Sequence, residues 1–378
     1  MERSQKYLFL IRHPVFEYIA AILAGLSFKG TLIVKPLNVI FPNFIKKFQN
    51  SNEGIRTILI GSKHNASALY SEITSQKMLS GINIKGYVVV DETGQQLLNG
   101  SLPKLGKLDE LPQIVANNGV EEAIIAIEPN EYHNLARIFS CLCKTDILVK
   151  VTSELRHTLH GELKNSPNFE GPLLQMWPKP MPFWQKAVKR LIDIKLSLAG
   201  LMLLWPVALV VAVIVKATSK GPAFFLQQRI GYHAKPFTIH KFRSMYLDAE
   251  TDGPKLSFEN DPRVTPFGRF MRKFRLDEIP QFYNVLIGNM SVVGPRPERQ
   301  FYIEQIIKQA PNYYAILKIK PGITGMGQVY QGYTENVEQM TKRLHYDLLY
   351  LETRSLALDL KILFKTFKII VLGRRGVK

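Results

Sequence analysis

The sequence predicts an α/β fold: a doubly wound parallel sheet in the first half, then a membrane re-entrant helix and a mainly α second half with interfacial helices. Three observations carry this expectation. Short apolar runs alternate with helical text between about residues 55 and 155. An apolar stretch of membrane-span length follows from about Leu191 to Val215, with Pro206 inside it. The last segment, Ser355 to Leu372, puts its lysines on one helical face and its apolar residues on the other.

At 378 residues the chain has room for two or three domains. We divide it into an N-terminal segment 1–50, a Rossmann-like α/β domain 51–175 of regulatory or scaffolding character, and a membrane-anchored domain 183–378. Residues 15–34 are fairly apolar but contain Glu17 and Lys29, with no convincing small-residue cleavage site. A membrane-dipping or interfacial helix and a plain core element both fit that stretch.

In the second segment the runs Ile55–Gly61, Tyr87–Asp91, Ala123–Ile127 and Ile147–Val151 are the expected strands. Helices are expected at about Ala66 to Leu79, Asp109 to Asn117 and Glu131 to Cys143. Continuous β-branched strands between helices imply a parallel sheet covered on both faces. The first turn reads Gly61-Ser62-Lys63-His64-Asn65-Ala66, without the second glycine that lets a backbone approach pyrophosphate. That argues against a dinucleotide site. Gly171-Pro172 and then Pro178-Lys179-Pro180-Met181-Pro182 cannot continue a helix and mark a boundary near residue 180.

The stretch from Leu191 to Val215 is long enough to cross a bilayer. However, Pro206 removes a backbone donor midway, and Lys186, Lys189 and Arg190 before it are matched by Lys216 and Lys220 after it. Positive charge prefers the cytoplasmic face, so two basic flanks favour a helix that breaks at Pro206 and returns to the same side. A mildly kinked spanning helix is the alternative. At the other end, Lys361, Lys365 and Lys368 share one face of the terminal helix. It lies in a membrane interface or packs on a core with a solvated lysine stripe.

Charge is unevenly placed. Residues 1–180 carry 19 Lys/Arg against 16 Asp/Glu, and residues 181–378 carry 30 against 15. The second half therefore expects a polyanionic partner: nucleic acid, an anionic membrane surface or a phosphorylated substrate. Only Cys141 and Cys143 occur, too close for a comfortable bridge, which suits a reducing compartment. His157 and His160 could share a helix face, but no third zinc ligand is apparent.

The chemistry concentrates at Asp277-Glu278. Arg269, Arg272, Lys273 and Arg275 precede this acidic pair. Cations beside acids suit a site that grips phosphate while the acids hold a metal or attack; a basic helix followed by an acidic turn is the bland alternative. In Lys241-Phe242-Arg243 strand alternation would put both cations on one face. Arg272, five residues before Asp277, lies about one and a half helical turns away if a helix reaches that far. Arg296, held between Pro295 and Pro297, can aim its planar fork from a stiff loop.

In order, Lys241-Phe242-Arg243-Ser244-Met245, Arg272 through Leu276-Asp277-Glu278-Ile279-Pro280-Gln281, Asn284 through Val293-Gly294-Pro295-Arg296-Pro297-Glu298 and Lys320-Pro321-Gly322-Ile323-Thr324-Gly325 resemble the bacterial sugar transferases of the monotopic polyprenol-phosphate phosphoglycosyl transferase type. The resemblance covers about residues 183–378, and the α/β half resembles the nucleotide-binding-like domain of longer members. It implies transfer of a sugar 1-phosphate from a UDP-sugar to undecaprenyl phosphate, starting a lipid-linked glycan of exopolysaccharide, capsule or O-antigen type. It further implies Asp277 as the nucleophile of a covalent phospho-sugar intermediate. Glu278 then helps with metal or proton handling, and the pair holds Mg²⁺. Lys241, Arg243, Arg272 and Arg296 are the expected phosphate-binding residues. The implied partners are polyprenol phosphate, a UDP-sugar and the bacterial inner membrane at its cytoplasmic face, with a homodimer allowed and no nucleic acid.

Two other classes remain open. Positive charge alone would allow a nucleic-acid-binding protein, though the apolar run at 191–215 counts against it. A sugar-nucleotide oxidoreductase built on the α/β half is opposed by the missing glycine fingerprint.

Overall fold

The computed structural model describes residues 54–75, 81–91, 96–152, 155, 173–175 and 181–372, apart from 252, 259 and 333. The expectations placed on residues 15–34, on His157 and His160, and on most of the proline-rich linker lie outside the described residues. Ile55–Lys378 form one compact unit.

The first part of that unit is a six-stranded sheet. Its strands are β1 (Ile55–Ile60), β2 (Ile82–Val89), β3 (Lys104–Lys107), β4 (Glu122–Ile125), β5 (Leu148–Thr152) and β6 (Leu173–Gln175), in the order β3-β2-β1-β4-β5-β6. The first five are parallel and β6 runs antiparallel to β5. Helices α1 (His64–Ser75), α2 (Leu111–Asn118) and α3 (Leu135–Leu142) lie between them in sequence. Ile58, Leu59, Ile60, Ile124 and Ile125 are wholly buried, as strands covered on both faces must be. The four expected strands are present; β3 and β6 are additional.

The chain order reverses between β1 and β4, the place where doubly wound sheets open a crevice for ligands. Gly61 (φ +131°) ends β1 so close to β4 that a Cβ there would lie 2.2 Å from the Ala126 carbonyl oxygen. The Asn65 N–H at the start of α1 donates to a Glu128 carboxylate oxygen at 2.7 Å. Lys63 pairs with Glu131 at 3.0 Å. Where such folds offer a helix N-terminus to an anionic ligand, this chain supplies its own carboxylate.

Helix α4 (Phe183–Thr218) runs 36 residues without interruption, about 54 Å at 1.5 Å per residue. Pro206 lies inside it. The expected break therefore does not occur as an end to the helix: proline forfeits one hydrogen bond, and packing on either side maintains the rest. One stripe of α4 faces the second half along its length. Asp193 accepts hydrogen bonds from the Ser291 hydroxyl at 3.0 Å and the Val292 N–H at 2.9 Å. A Cβ on Gly200 would touch the Phe282 ring at 3.1 Å. Leu204 and Ala208 pack with Val211 and Val215 on Phe242, Met271 and Ile279. The opposite face leaves Met202, Leu203, Trp205, Leu209, Val210 and Val213 exposed.

The rest is mainly helical. A hairpin of β7 (Phe224–Ile230) and β8 (Pro236–Phe242) leads to α5 (Pro266–Lys273) and α6 (Gln281–Leu286). A parallel pair, β9 (Ser291–Val293) and β10 (Gly322–Thr324), flanks α7 (Gln300–Gln309). Helices α8 (Met326–Tyr330), α9 (Val337–Thr353) and α10 (Leu356–Val371) complete it. Helix α10 buries Asp359, Ile362 and Ile369 and exposes Leu360, Phe364, Phe367 and Val371. Its lysine stripe is not wholly solvated, since Lys365 donates to the Tyr330 hydroxyl at 2.5 Å.

The two halves share a core. Leu135, Ile138, Val149 and Val151 cluster with Ala315 and Leu351 of the second half. Lys318 donates to the Ile147 carbonyl at 2.8 Å, and Tyr232 to Asp146 at 3.2 Å.

Candidate active site

A cavity of about 270 Å³ opens beside β8, walled by Lys241, Arg275, Asp277, Glu278 and Arg296 among others. Local geometry brings these residues there from three elements. Helix α5 starts cleanly: Thr265 caps it by accepting from the Gly268 N–H at 2.9 Å, and Pro266 fills the first helical position. It ends at Lys273. Arg275 then takes a left-handed backbone (φ 58°, ψ 23°), a conformation that costs a non-glycine residue energy and that recurs at functional sites. The chain folds back into a 3₁₀ turn, Leu276–Glu278, that buries both acids.

The second element is the loop after β9. Gly294 packs backbone to backbone against the 320–325 segment, where a Cβ would lie 2.4 Å from the Lys320 carbonyl oxygen. The Gly294 N–H donates to Thr324, and the Gly322 N–H to Pro295, at 2.9 and 2.8 Å. This clasp fixes the chain on which Arg296 stands. The third element is β8. Its Phe242 is buried against α4 and α5, while Lys241 reaches the cavity. Buried Asn284 ties β8 to α6, accepting from the His240 N–H at 3.0 Å and donating to Thr238 at 2.7 Å.

Three cations meet on Glu278. Its Oε1 lies 3.3 Å from Arg275, 3.4 Å from Arg296 and 3.8 Å from Lys241. Burial alone would raise the Glu278 pKa, but Arg275, Arg296 and Lys241 outweigh it and hold the carboxyl well below its ordinary range. Asp277 is shifted the other way. Burial and the adjacent Glu278 charge raise it, against the opposing pull of Lys241, Arg272 and Arg275. Lys241 is pushed down to about 7 by burial first and by Arg296 next. Two carboxyls with opposed shifts, beside a lysine poised near neutrality, are the electrostatic mark of a reactive site.

Not every expected phosphate ligand points at the acids. Arg296 and Lys241 do. Arg243 lines the cavity, but its two terminal nitrogens donate to the Lys220 and Ser219 carbonyls at 2.7 and 2.6 Å, holding the exit of α4. Arg272 donates to the Ser244 and Ser257 hydroxyls at 2.8 and 2.7 Å. Helix α5 stops at Lys273; Arg272 still acts on Asp277 through its charge, while Arg275 makes the ion pair with Glu278. Arg275 was one of four cations upstream of the acids in sequence, and only the left-handed turn distinguishes it. A second network in the cavity wall was also hidden: Glu298 accepts from Arg229 at 3.3 Å and from Arg343 at 2.5 Å.

Among the described residues, no three His, Cys, Asp or Glu side chains gather as a protein-built metal site. Magnesium does not require one, because it is commonly held by one or two carboxylates together with substrate phosphates and water. Asp277 and Glu278 fit that donor set, with Asp277 the less committed to cations. Cys141 and Cys143 are buried free thiols, and burial pushes Cys143 up to about 12.

Residues 184–373, the segment that builds this cavity and helix α4, match the family described as bacterial sugar transferase. The chain belongs to that family. Individual relatives agree. The UDP-glucose:undecaprenyl-phosphate glucose-1-phosphate transferase of Klebsiella pneumoniae is 34% identical over 89% of this chain and 72% of its own length. A transferase of the same description from Xanthomonas campestris pv. campestris is 33% identical over 96% of this chain and 76% of its own. A UDP-N-acetylgalactosamine-undecaprenyl-phosphate N-acetylgalactosaminephosphotransferase of Aeromonas hydrophila is 37% identical over 58% of this chain and 51% of its own. The chain is thus a sugar transferase, similar to enzymes whose sugars differ.

Proposed function

We propose that the protein transfers a sugar 1-phosphate from a UDP-sugar to undecaprenyl phosphate at the cytoplasmic face of a bacterial inner membrane, and so starts a lipid-linked glycan. The supporting observation is the buried Asp277-Glu278 pair. Glu278 takes up the ion pairs of Lys241, Arg275 and Arg296, which leaves Asp277 as the carboxylate available for attack.

In the first step an Asp277 oxygen attacks the phosphorus that carries the sugar. The bond from that phosphorus to the bridging oxygen breaks, and UMP leaves with the electron pair. In the second step a phosphate oxygen of undecaprenyl phosphate attacks the same phosphorus, forming a diphosphate and returning the Asp277 carboxylate. A carboxylate approaching an anionic diphosphate meets strong repulsion, which Lys241, Arg275 and Arg296 offset as charge shifts onto the leaving phosphate. Magnesium held by Asp277, Glu278 and the substrate phosphates would supply further charge neutralisation.

Helix α4 dips into the membrane and does not cross it, in this proposal. Its contacts with the second half run from Asp193 to Val215. A hydrocarbon layer about 30 Å thick has no room between the helix ends without enclosing the body packed against them. The exposed apolar faces of α4 and α10 then rest in the bilayer, near the headgroup depth of a polyprenol phosphate.

The test is an assay in detergent with undecaprenyl phosphate and a panel of UDP-glucose, UDP-N-acetylgalactosamine and related sugars, read as UMP release and lipid product mass. Intact-mass analysis after a short pulse without acceptor should find a phospho-sugar adduct that Asp277→Asn lacks. UMP release at the wild-type rate by that variant would end the assignment.

A further inference from the structure

A second cavity, of about 350 Å³, lies at the seam where the α/β half meets the start of α4. Its walls share none of the residues assigned above to the reaction. The α/β half contributes Asp146, Ile147 and Leu148, and the second half contributes the opposing surface. The volume falls within the range of small-molecule sites.

Its charge is lopsided. Six cations line it, Lys186, Lys189, Arg190, Lys318, Lys320 and Arg354, against two carboxylates, Asp146 and Asp193. The two acids offset only part of that excess, Asp146 acting on Lys318 and Asp193 on Lys320. Asp193 is taken up by Ser291 and the Val292 N–H. Asp146, on the exposed rim, accepts from Tyr232 and lies 3.3 Å from His233. Of the cations, Lys189 is matched by Asp359 at 2.6 Å. Arg190 donates to the Val285 and Leu286 carbonyls at the end of α6 at 2.6 and 2.8 Å, where the helix dipole offsets part of its charge but no carboxylate pairs with it among the described residues.

Lys320 sits beside it. Its Nζ and an Arg190 terminal nitrogen lie 3.5 and 3.6 Å from one point next to Gly288, and so are within about 7 Å of each other. Two like charges this close in a half-enclosed cavity repel unless an anion lies between them. The remaining wall is apolar, including Met181, Val293 and Leu351, with the Tyr232 and Tyr350 rings. A purely inorganic anion would leave that surface unused.

We infer that this seam cavity is a second binding site, for a phosphate ester with an apolar or aromatic body, held between the α/β half and the root of α4. The ligand chemistry has two sources. Exposed Phe183 and Trp184 adjoin Lys186 at the depth where a membrane headgroup would lie, so a phospholipid could enter from the bilayer. A soluble nucleotide could enter past Asp146.

Titration calorimetry on the full chain in an uncharged detergent tests this, with AMP as one probe and dihexanoyl phosphatidylglycerol, below its micelle concentration, as the other. Lys241→Ala/Arg296→Ala removes anion binding at the reaction centre, and Lys186→Glu/Lys320→Glu reverses charge in the seam. Saturable binding of either probe should persist in the first variant and weaken at least about tenfold in the second. AMP alone binding identifies a soluble phosphate ester, and the lipid alone a headgroup. Loss of all saturable binding in Lys241→Ala/Arg296→Ala, or equal affinity in Lys186→Glu/Lys320→Glu, overturns the inference. If the double reversal fails to fold, the milder Lys320→Gln takes its place, with a roughly threefold loss expected and an unchanged affinity decisive against the site. None of these readouts depends on Asp277 chemistry, so the sugar-transfer proposal can fail without them.

Discussion

The α/β half and the transferase half each offer a place where anions ordinarily bind, and they treat it in opposite ways. At the β1/β4 crevice the protein fills the position itself: Glu128 accepts from the Asn65 N–H at the start of α1, and Glu131 pairs with Lys63. In the cavity beside β8, by contrast, Lys241, Arg275 and Arg296 crowd a single carboxylate oxygen and leave the neighbouring acid to its own devices. A doubly wound sheet therefore does not by itself argue for a bound nucleotide. What matters is whether the charge at the helix end has already been matched from within.

The contrast can be broken most decisively at Asp277. Asp277→Asn should lower transfer by about 10⁴-fold or more, the scale of removing a nucleophile, with the melting temperature near that of wild type. Residual turnover within tenfold of wild type would place the chemistry elsewhere. Arg296→Ala should cost about 2–4 kcal/mol in kcat/KM, and Arg275→Ala a similar amount, because each neutralises developing phosphate charge. Arg243→Met sharpens the same comparison within one cavity wall. Its donors hold the Ser219 and Lys220 carbonyls, so it should lose about 1–3 kcal/mol of unfolding stability, with a smaller change in kcat than Arg296→Ala.

A subtler effect concerns protons. In the free protein Lys241 titrates near 7, so at pH 8 it is largely neutral. Substrate phosphates favour its charged form and raise its pKa, so binding of the UDP-sugar at pH 8 should take up close to one proton. At pH 6 the lysine is already charged and uptake should be near zero. Calorimetry in buffers of different ionisation enthalpy measures this, and Lys241→Met should abolish the difference. The smallest effect is expected in the crevice. Glu128→Gln should reduce stability by about 0.5–1 kcal/mol through a weakened helix start and leave the transfer rate unchanged. A loss of activity comparable to Arg296→Ala would erase the distinction between the two halves.

Much of this was legible in the sequence, for identifiable reasons. The parallel strands announced themselves because burial on both faces demands continuous apolar runs, as in Ile58–Ile60 and Ala123–Ile125. β3 did not, because Lys104-Leu105-Gly106-Lys107 is a short edge strand with exposed lysines at both ends. The acidic pair and Arg296 stood out by their neighbours in the chain. Which of the upstream cations would turn toward the acids did not, since that depends on α5 stopping at Lys273 and on the left-handed backbone of Arg275. Arg243 shares the cavity wall with Lys241, as alternation implies, but the sequence did not show that the carbonyls leaving α4 take up two of its guanidinium nitrogens. Pro206 suggested a broken helix, yet α4 continues through it, because the stripe from Asp193 to Val215 anchors both sides.

Ala315 and Leu351 lie sunk among the side chains of α3 and β5. Cutting the chain at the proline-rich joint would therefore not release two finished pieces. The transferase portion would carry away an oily scar, and the α/β portion its matching mould. Any excised fragment intended for crystallography or screening needs polar replacements at both positions, or it will seek a substitute neighbour in its own kind.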